Sequence, residues 1–364
     1  MIEIQDTGKI YIFGAGSRAK TLKGYFQYLY PEVKILSFLV DNMEENEAEV
    51  DKIPVLEMDK VKSLDSEIPV YIATKGVYHT KIIAQLEQKG VQRIIPVTVE
   101  IDNYLRNEYV KKYYEKEHLP FVKLSELLTK DKIVDRKAVI YVAKSIYDKE
   151  LKEKYEAPLY EKAIQVGAAL TEERLEEDIL TDCEGDNISH KNRQYCELTA
   201  LYWIWKHAEE DIIGLAHYRR HFILPDQWLE IMIENDVDVI LPVPTFVAPS
   251  VGENYMERHD PTDWECLLEY LREKYPKDYE KASIVFSGNL YFPCNMFIMK
   301  RKILYELCTW MFPVLDAIVE QGGSKPNTYL NRYPGFLSER LITLFFYLHR
   351  NEYRIVYADK NFLF

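Results

Sequence analysis

Asp211-Ile212-Ile213-Gly214-Leu215-Ala216-His217-Tyr218-Arg219-Arg220-His221-Phe222 decides how this chain is read. An uninterrupted apolar run from Ile212 to Ala216 reads as a buried strand over 211–216, and the polar residues after it read as the turn leaving its carboxyl end. In open α/β sheets ligands bind beyond the carboxyl ends of the strands. His217, Arg219 and Arg220 are therefore delivered to the place where a ligand sits. Two guanidinium groups there can fork onto phosphate oxygens and neutralise a diphosphate leaving group. A solvated basic turn pairing with local acids is the competing reading. An arginine pair flanked by histidines and directly following a buried strand favours a site.

Outward from this turn the pattern continues as α/β. Strands are expected at 138–142, 237–242, 296–299 and 354–357, with helices at 194–207, 263–274, 302–320 and 336–349. The first hundred residues form a separate alternation. Lys9–Phe13 reads as a strand, Gly14-Ala15-Gly16 follows at once, and a helix runs through Tyr28. Further strands are expected at 33–40, 69–73 and 93–97, with a helix over 79–89. Strands separated by helices of this length predict βαβ units and a parallel sheet, about one mononucleotide-binding half of a doubly wound fold. The expected organisation is a Rossmann-like domain over 1–100, a Tyr- and Lys-rich helical connector over 101–133, and an α/β domain over 134–364.

Gly14-Ala15-Gly16-Ser17-Arg18-Ala19 fits G-x-G-x-x-A between a strand and a helix, and Asp41 closes the next strand. Gly14 and Gly16 would let the backbone approach a pyrophosphate at the helix N-terminus, and Asp41 would accept from a ribose hydroxyl. Equally, the tight turn can serve helix–sheet packing alone.

Composition excludes several classes. The chain has 364 residues, 47% of them hydrophobic and 29% charged, which is ordinary globular usage. Lys plus Arg number 46 against 59 Asp plus Glu, a net charge of -13, so no nucleic-acid partner is expected. The 28 tyrosines suit sugar contacts and half-buried cores alike. Five cysteines without short paired spacers give no zinc site and read as reduced thiols. No basic n-region leads an apolar segment at the start, and no apolar run spans a bilayer, so a cytoplasmic protein is expected.

Four ordered motifs carry a resemblance: NRQYCELTALYWIWK (192–206), GLAHYRRHF (214–222), NMFIMKR (295–301) and GFLSERL (335–341). Over about residues 135–364 they resemble a family of uncharacterised bacterial glycosyltransferase-like proteins from capsule and exopolysaccharide clusters, grouped with the GT-A fold. The N-terminal domain is similar to a module found in bacterial sugar-modifying and sugar-transferring proteins. The resemblance implies transfer of a sugar from a nucleotide-sugar donor, with a UDP-sugar expected, to a growing surface polysaccharide (capsule, exopolysaccharide or O-antigen). The acceptor would be a glycan or lipid-linked glycan, which is compatible with peripheral membrane contact.

On that reading His217, Arg219 and Arg220 bind the donor diphosphate, Asn192 and Glu197 shape the donor pocket, and Asn295 and Arg340 join the donor side. GT-A enzymes usually end the corresponding strand in Asp-x-Asp, which holds a divalent metal. Here fixed cations can stabilise the departing diphosphate instead. Asp236-Val237-Asp238 precedes a strand rather than following one, so no metal ligand is assigned and metal dependence stays open. Glu339 is the first candidate for the base that deprotonates the acceptor hydroxyl, with His259 and Asp260 as alternatives. Each has a plainer reading: Glu197 and Asp260 as helix-terminal acids, Asn295 as a strand-edge partner, Glu339–Arg340 as a surface pair behind a Ser338 cap. Two other functions remain in view, a non-catalytic sugar-nucleotide-binding or scaffold protein and, on the glycine motif alone, an NAD-dependent sugar-nucleotide oxidoreductase.

Overall fold

The computed structural model describes residues 8–44, 46–129, 135–152 and 154–363. The chain forms two compact units, Met1–Pro120 and Phe121–Phe364. The expected boundary at 133/134 lies outside the described residues.

In the first unit the strands are β1 (Lys9–Phe13), β2 (Lys34–Val40), β3 (Glu49–Val50), β4 (Ile53–Glu57), β5 (Val70–Ile72) and β6 (Ile94–Pro96). The sheet order is β3-β4-β2-β1-β5-β6, parallel except for the edge strand β3. The order reverses at β1, where crossovers leave toward both sides, as in a Rossmann half. Its helices are α1 (Ser17–Leu29), α2 (His79–Gln88) and α3 (Val99–Lys116). Helix α3 has little apolar periodicity because rings bury it: Tyr109 meets Tyr25 and Tyr28 of α1 at centroid distances of 5.5 and 4.6 Å. The first half of the expected connector thus packs as part of this unit.

The second unit contains β7 (Ala138–Lys144), β8 (Glu161–Gln165), β9 (Leu180–Thr181), β10 (Ile212–His217), β11 (Phe222–Ile223), β12 (Val239–Pro242), β13 (Thr245–Phe246), β14 (Leu290–Tyr291), β15 (Phe297–Lys300) and β16 (Ile355–Lys360). Eight of them form one sheet in the order β11-β16-β12-β15-β10-β7-β8-β9. β9, β8, β7 and β10 run parallel; β15 runs against β10 and β12; β16 runs with β12. The carboxyl ends of β7, β8, β9, β10, β12 and β16 therefore share one edge, joined there by the amino end of β15. Val142, Ile212, Ile240, Ile298 and Val356 form part of the core against this sheet.

The helices are α4 (Asn192–Tyr195), α5 (Leu198–His207), α6 (Trp228–Glu234), α7 (Val251–Arg258), α8 (Pro261–Lys274), α9 (Pro276–Ser287), α10 (Arg301–Gly322) and α11 (Tyr333–Leu348). Two differences from the sequence pattern matter for the site. The helix expected over 194–207 is broken at Cys196, whose φ of 51° ends α4 and restarts the chain as α5. Helix α11 begins at Tyr333 rather than 336, with Pro334 in its first turn. Strand β8, Glu-Lys-Ala-Ile-Gln, has too few apolar residues to announce itself and forms by pairing with β7. Among the described residues no helix is long and apolar enough to cross a membrane.

Candidate active site

The turn after β10 is tight. His217 N–H donates to the Arg220 carbonyl at 3.1 Å and Arg220 N–H returns to the His217 carbonyl at 3.0 Å, so Tyr218 and Arg219 form its tip. Four of the five residues from His217 to His221, all but Arg219, border two cavities. His217 and Arg220 line one of about 130 Å³, and Tyr218 and His221 line another of about 290 Å³.

The smaller cavity gathers Glu197 from the start of α5, Cys294 from the turn before β15, and Phe336 and Glu339 from α11, with Arg332 ahead of that helix. Glu339 Oε1 accepts the Cys294 N–H at 2.5 Å, and Oε2 accepts Arg340 Nη1 at 2.7 Å. Burial raises the Glu339 pKa above the ordinary carboxylate range, against the pull of Arg340 and the Cys294 amide. The plainer reading of Glu339–Arg340 as a surface pair behind a Ser338 cap does not hold: the pair is largely buried, and Ser338 is a core residue inside α11. Arg340 also donates to the Phe336 carbonyl at 3.0 Å and lies 4.4 Å over the Tyr291 ring.

Asn295, 1% exposed, knits three segments together. Its amide nitrogen donates to Glu197 Oε1 at 2.8 Å and to the Gly335 carbonyl at 3.0 Å, while its oxygen accepts the Ser338 hydroxyl at 2.7 Å. Cys294 and Asn295 are consecutive left-handed residues, with φ of 71° and 50°. Asn visits this region readily and Cys rarely. This constrained turn presents the Cys294 amide to Glu339, the Asn295 amide to Glu197 and the Cys294 carbonyl to His217 Nε2. Burial lowers the His217 pKa, partly opposed by Glu197. Arg332 donates from Nε to Cys196 Sγ at 2.9 Å, and burial pushes the Cys196 thiol up to about 11.

Asn192 stands one step behind the cavity. Its amide donates to the Cys196 carbonyl at 2.8 Å and to Thr199 Oγ1 at 3.0 Å, tying the break that presents Glu197. Fully buried Asp182 anchors the same segment by accepting from Gly167 N, Ala168 N, Ser189 Oγ and Thr199 Oγ1. A Cβ at Gly167, where φ is +67°, would lie 2.7 Å from Asn192 Oδ1.

The larger cavity lies beside the carboxyl end of β7 and the first half of β8. Its wall holds His221 and Glu161, 3.0 Å apart with side chains 2% and 3% exposed. Tyr155 stacks on His221 at 3.8 Å and donates its hydroxyl to Glu161 at 3.0 Å. Asp148 accepts the Ser145 N–H at 2.7 Å, and burial pushes its pKa up to about 6 against the attraction of Arg219 and Lys144. Arg219 lies 4.6 Å over the Tyr218 ring, and Arg220 lies 5.0 Å over Phe362.

His259 and Asp260 sit farther along. His259 stacks on Phe336 at 4.1 Å, and burial lowers its pKa to about 3. Asp260 caps α8 through Thr262 N at 3.0 Å and binds Lys325 Nζ at 2.8 Å, with Asp263 taking the same ammonium at 2.5 Å. Asp238 lies at the amino end of β12, opposite the site edge, held by Lys300 Nζ at 2.6 Å and the Arg354 N–H at 2.8 Å. In the first unit Gly14 and Gly16 form the turn into α1, and Asp41 faces Lys81 at 3.3 Å.

Glu197, His217, Arg220, Asn295, Glu339 and Arg340 are thus brought together from four segments. The sequence alone did not single out Arg332, Cys294, Phe336, Asp148 or Tyr155. Arg332 and Phe336 flank or begin the last motif, whereas nothing in the sequence of 148–155 signals a pocket.

The mixed α/β architecture, with parallel sheets and a GT-A-like unit, has a likeness among solved structures. The chain is similar to the apo structure of WbbM, a bifunctional glycosyltransferase, with 23% identity and a TM-score of 0.53, covering 62% of this chain and 45% of that one. It spans under half the length of that protein, and the likeness is one of fold. A Bacillus subtilis protein, yvaA, described only provisionally as an oxidoreductase, matches over 41% of this chain and 47% of its own at 17% identity, with a TM-score of 0.21 that carries no argument. No curated protein matches. The chain belongs to the family described as a domain of unknown function, DUF4422, whose model matches residues 140–351.

Proposed function

We propose that the second unit is a glycosyltransferase that moves a sugar from a nucleotide donor onto a saccharide acceptor. The observation carrying this reading is that one five-residue basic turn borders both cavities at the carboxyl edge of the sheet. The nucleoside occupies the larger cavity, the diphosphate lies across Arg219 and Arg220, and the sugar enters the smaller cavity against Glu197 and Glu339. As the anomeric carbon–oxygen bond breaks, negative charge grows on the leaving diphosphate, and the guanidinium groups, already oriented by Tyr218 and Phe362, stabilise it. Glu339 takes the proton of the attacking acceptor hydroxyl. Its raised pKa makes it a stronger base than an ordinary carboxylate, and the Cys294 amide and Arg340 hold its orientation. Asn295 fixes Glu197. The glycosyltransferase activity named for the structural neighbour supports this reading. The finer assignment is a UDP-sugar donor and a growing bacterial surface polysaccharide as acceptor.

Titration calorimetry with UDP, GDP, CMP, dTDP and NAD, each with Mn²⁺ and with EDTA, tests it. One nucleoside diphosphate should bind saturably, and Arg219→Ala/Arg220→Ala should weaken it by roughly 10- to 100-fold. Donor binding untouched by that double variant overturns the assignment. Binding of NAD alone would move the interest to Gly14 and Gly16, and silence from all five would favour a scaffold.

A further inference from the structure

Beside the small cavity lies a group of rings that the proposed chemistry does not use. Phe336 belongs to the cavity wall. His259 stacks on it at 4.1 Å with the planes 20° apart, and Tyr329 continues the stack from His259 at 5.6 Å and 25°. Tyr329 also meets Phe336 at 5.1 Å. Exposure rises along the series: Phe336 and His259 are half-buried, and Tyr329 is 44% exposed. The group runs from the wall holding Glu339, three residues along α11 from Phe336, to the surface.

We propose that Tyr329, His259 and Phe336 form a stacking platform for a pyranose ring of the acceptor saccharide. This deepens the transferase reading and rests on it. An aromatic face offers a flat apolar surface with a negative quadrupole, which matches the row of C–H bonds on one side of a pyranose. A nucleoside phosphate is less well served, because none of the three rings brings a positive charge: Tyr329 and Phe336 are neutral, and His259 stays neutral at physiological pH. Its pKa is lowered to about 3 by burial and by Arg340 and Arg258. His259 Nδ1 is buried and has no hydrogen-bond partner.

The segment carrying Tyr329 is held in place. Lys325 is clasped by Asp260 and Asp263, its N–H donates to Asn331 Oδ1 at 2.8 Å, and Asn327 Oδ1 accepts from Tyr329 N and Leu330 N at 2.9 and 3.0 Å. The ring is thereby pre-positioned, which lowers the ordering cost of binding. On this reading His259 and Asp260, candidate bases by sequence, serve the acceptor instead: the first as a stacking face, the second by holding the loop.

Saturation-transfer NMR on the full chain, with methyl glucoside, galactoside, mannoside, rhamnoside and N-acetylglucosaminide as probes, measured with and without UDP, tests this. At least one pyranoside should take up saturation on the protons of one ring face. Tyr329→Phe should retain the signal, and Tyr329→Ala and His259→Leu should each weaken binding by about tenfold. Tyr329 is exposed enough for its alanine variant to fold, and circular dichroism checks this. Signals equal in the native chain and Tyr329→Ala, or absent for every pyranoside in both conditions, overturn the platform. Calorimetry with nucleotides reads Arg219 and Arg220 separately, so the donor reading and the platform fail independently.

Discussion

Two turns in this molecule occupy the same topological position and are built for different loads. In the first unit Gly14-Ala15-Gly16 follows β1; in the second His217 to Arg220 follows β10. Both leave the carboxyl end of a parallel strand, where α/β sheets place ligands. Around the glycine turn the close neighbour is a single segment: a Cβ at Gly14 would meet Ala73 O and Thr74 Cγ2 at 3.2 Å, while Gly16 faces open space. Around the basic turn, segments from 196–197, 294–295 and 332–339 converge on one cavity and buried carboxylates accumulate. The position on a sheet is inherited from topology. The chemistry comes from how much distant chain is brought to it, and here the second turn receives far more.

Replacing the proposed base, Glu339, breaks the comparison most sharply. Glu339→Gln should lower transfer by about 10²- to 10⁴-fold with nucleoside diphosphate affinity little changed, read as nucleotide released per acceptor glycosylated. In the native chain the rate should climb with pH through a pKa above the usual carboxylate range, because only the ionised group accepts the proton. Loss of that limb in Glu339→Gln assigns it to this residue; an unchanged profile moves the base elsewhere.

The glycine turn answers to a different substitution. Gly14 has φ +107° and its missing Cβ faces backbone, so Gly14→Ala should destabilise the first unit by about 1–3 kcal/mol, whereas Gly16→Ala should cost little. Paired thermal melts measure the difference. Equal melting temperatures would remove the packing role from Gly14.

A smaller effect concerns Asp148 in the larger cavity. Its folded pKa, about 6, lies above its ordinary value of 3.8, so between these values the native state holds more protons than the unfolded one. Stability should therefore fall as pH rises across that window, and Asp148→Asn should flatten the fall in denaturant titrations. The smallest response is expected at Asp238. It lies on the opposite edge, and Asp238→Ala should leave nucleotide affinity within about twofold, since its bonds to Lys300 and Arg354 are remote from the cavities. A large loss would mean that this Asp-x-Asp reaches the donor after all.

Much of the framework was legible. Apolar runs mark β1, β2, β5, β7, β10, β12, β15 and β16 because strands buried on both faces are nearly continuous in apolar residues. The basic turn was legible too, because arginines directly after such a strand are unusual. Less visible were β8, which forms by pairing rather than propensity, and the break at Cys196, where a left-handed residue interrupts a sequence with good helical periodicity. The competing reading of Glu339 and Arg340 as a surface pair fails because α11 starts three residues early and lies against the turn at Cys294.

By itself the sequence determined the α/β class, the strand that carries the site and the cationic character of its turn, since these depend on local hydrophobic period and residue type. Tertiary structure alone decided that Glu197, Cys294 and Glu339 share one cavity with Asn295 bonded behind Glu197, that the basic turn borders a second one, and that Asp260 holds a loop. Those facts depend on contacts between residues tens to more than a hundred positions apart, and no local pattern encodes such distances.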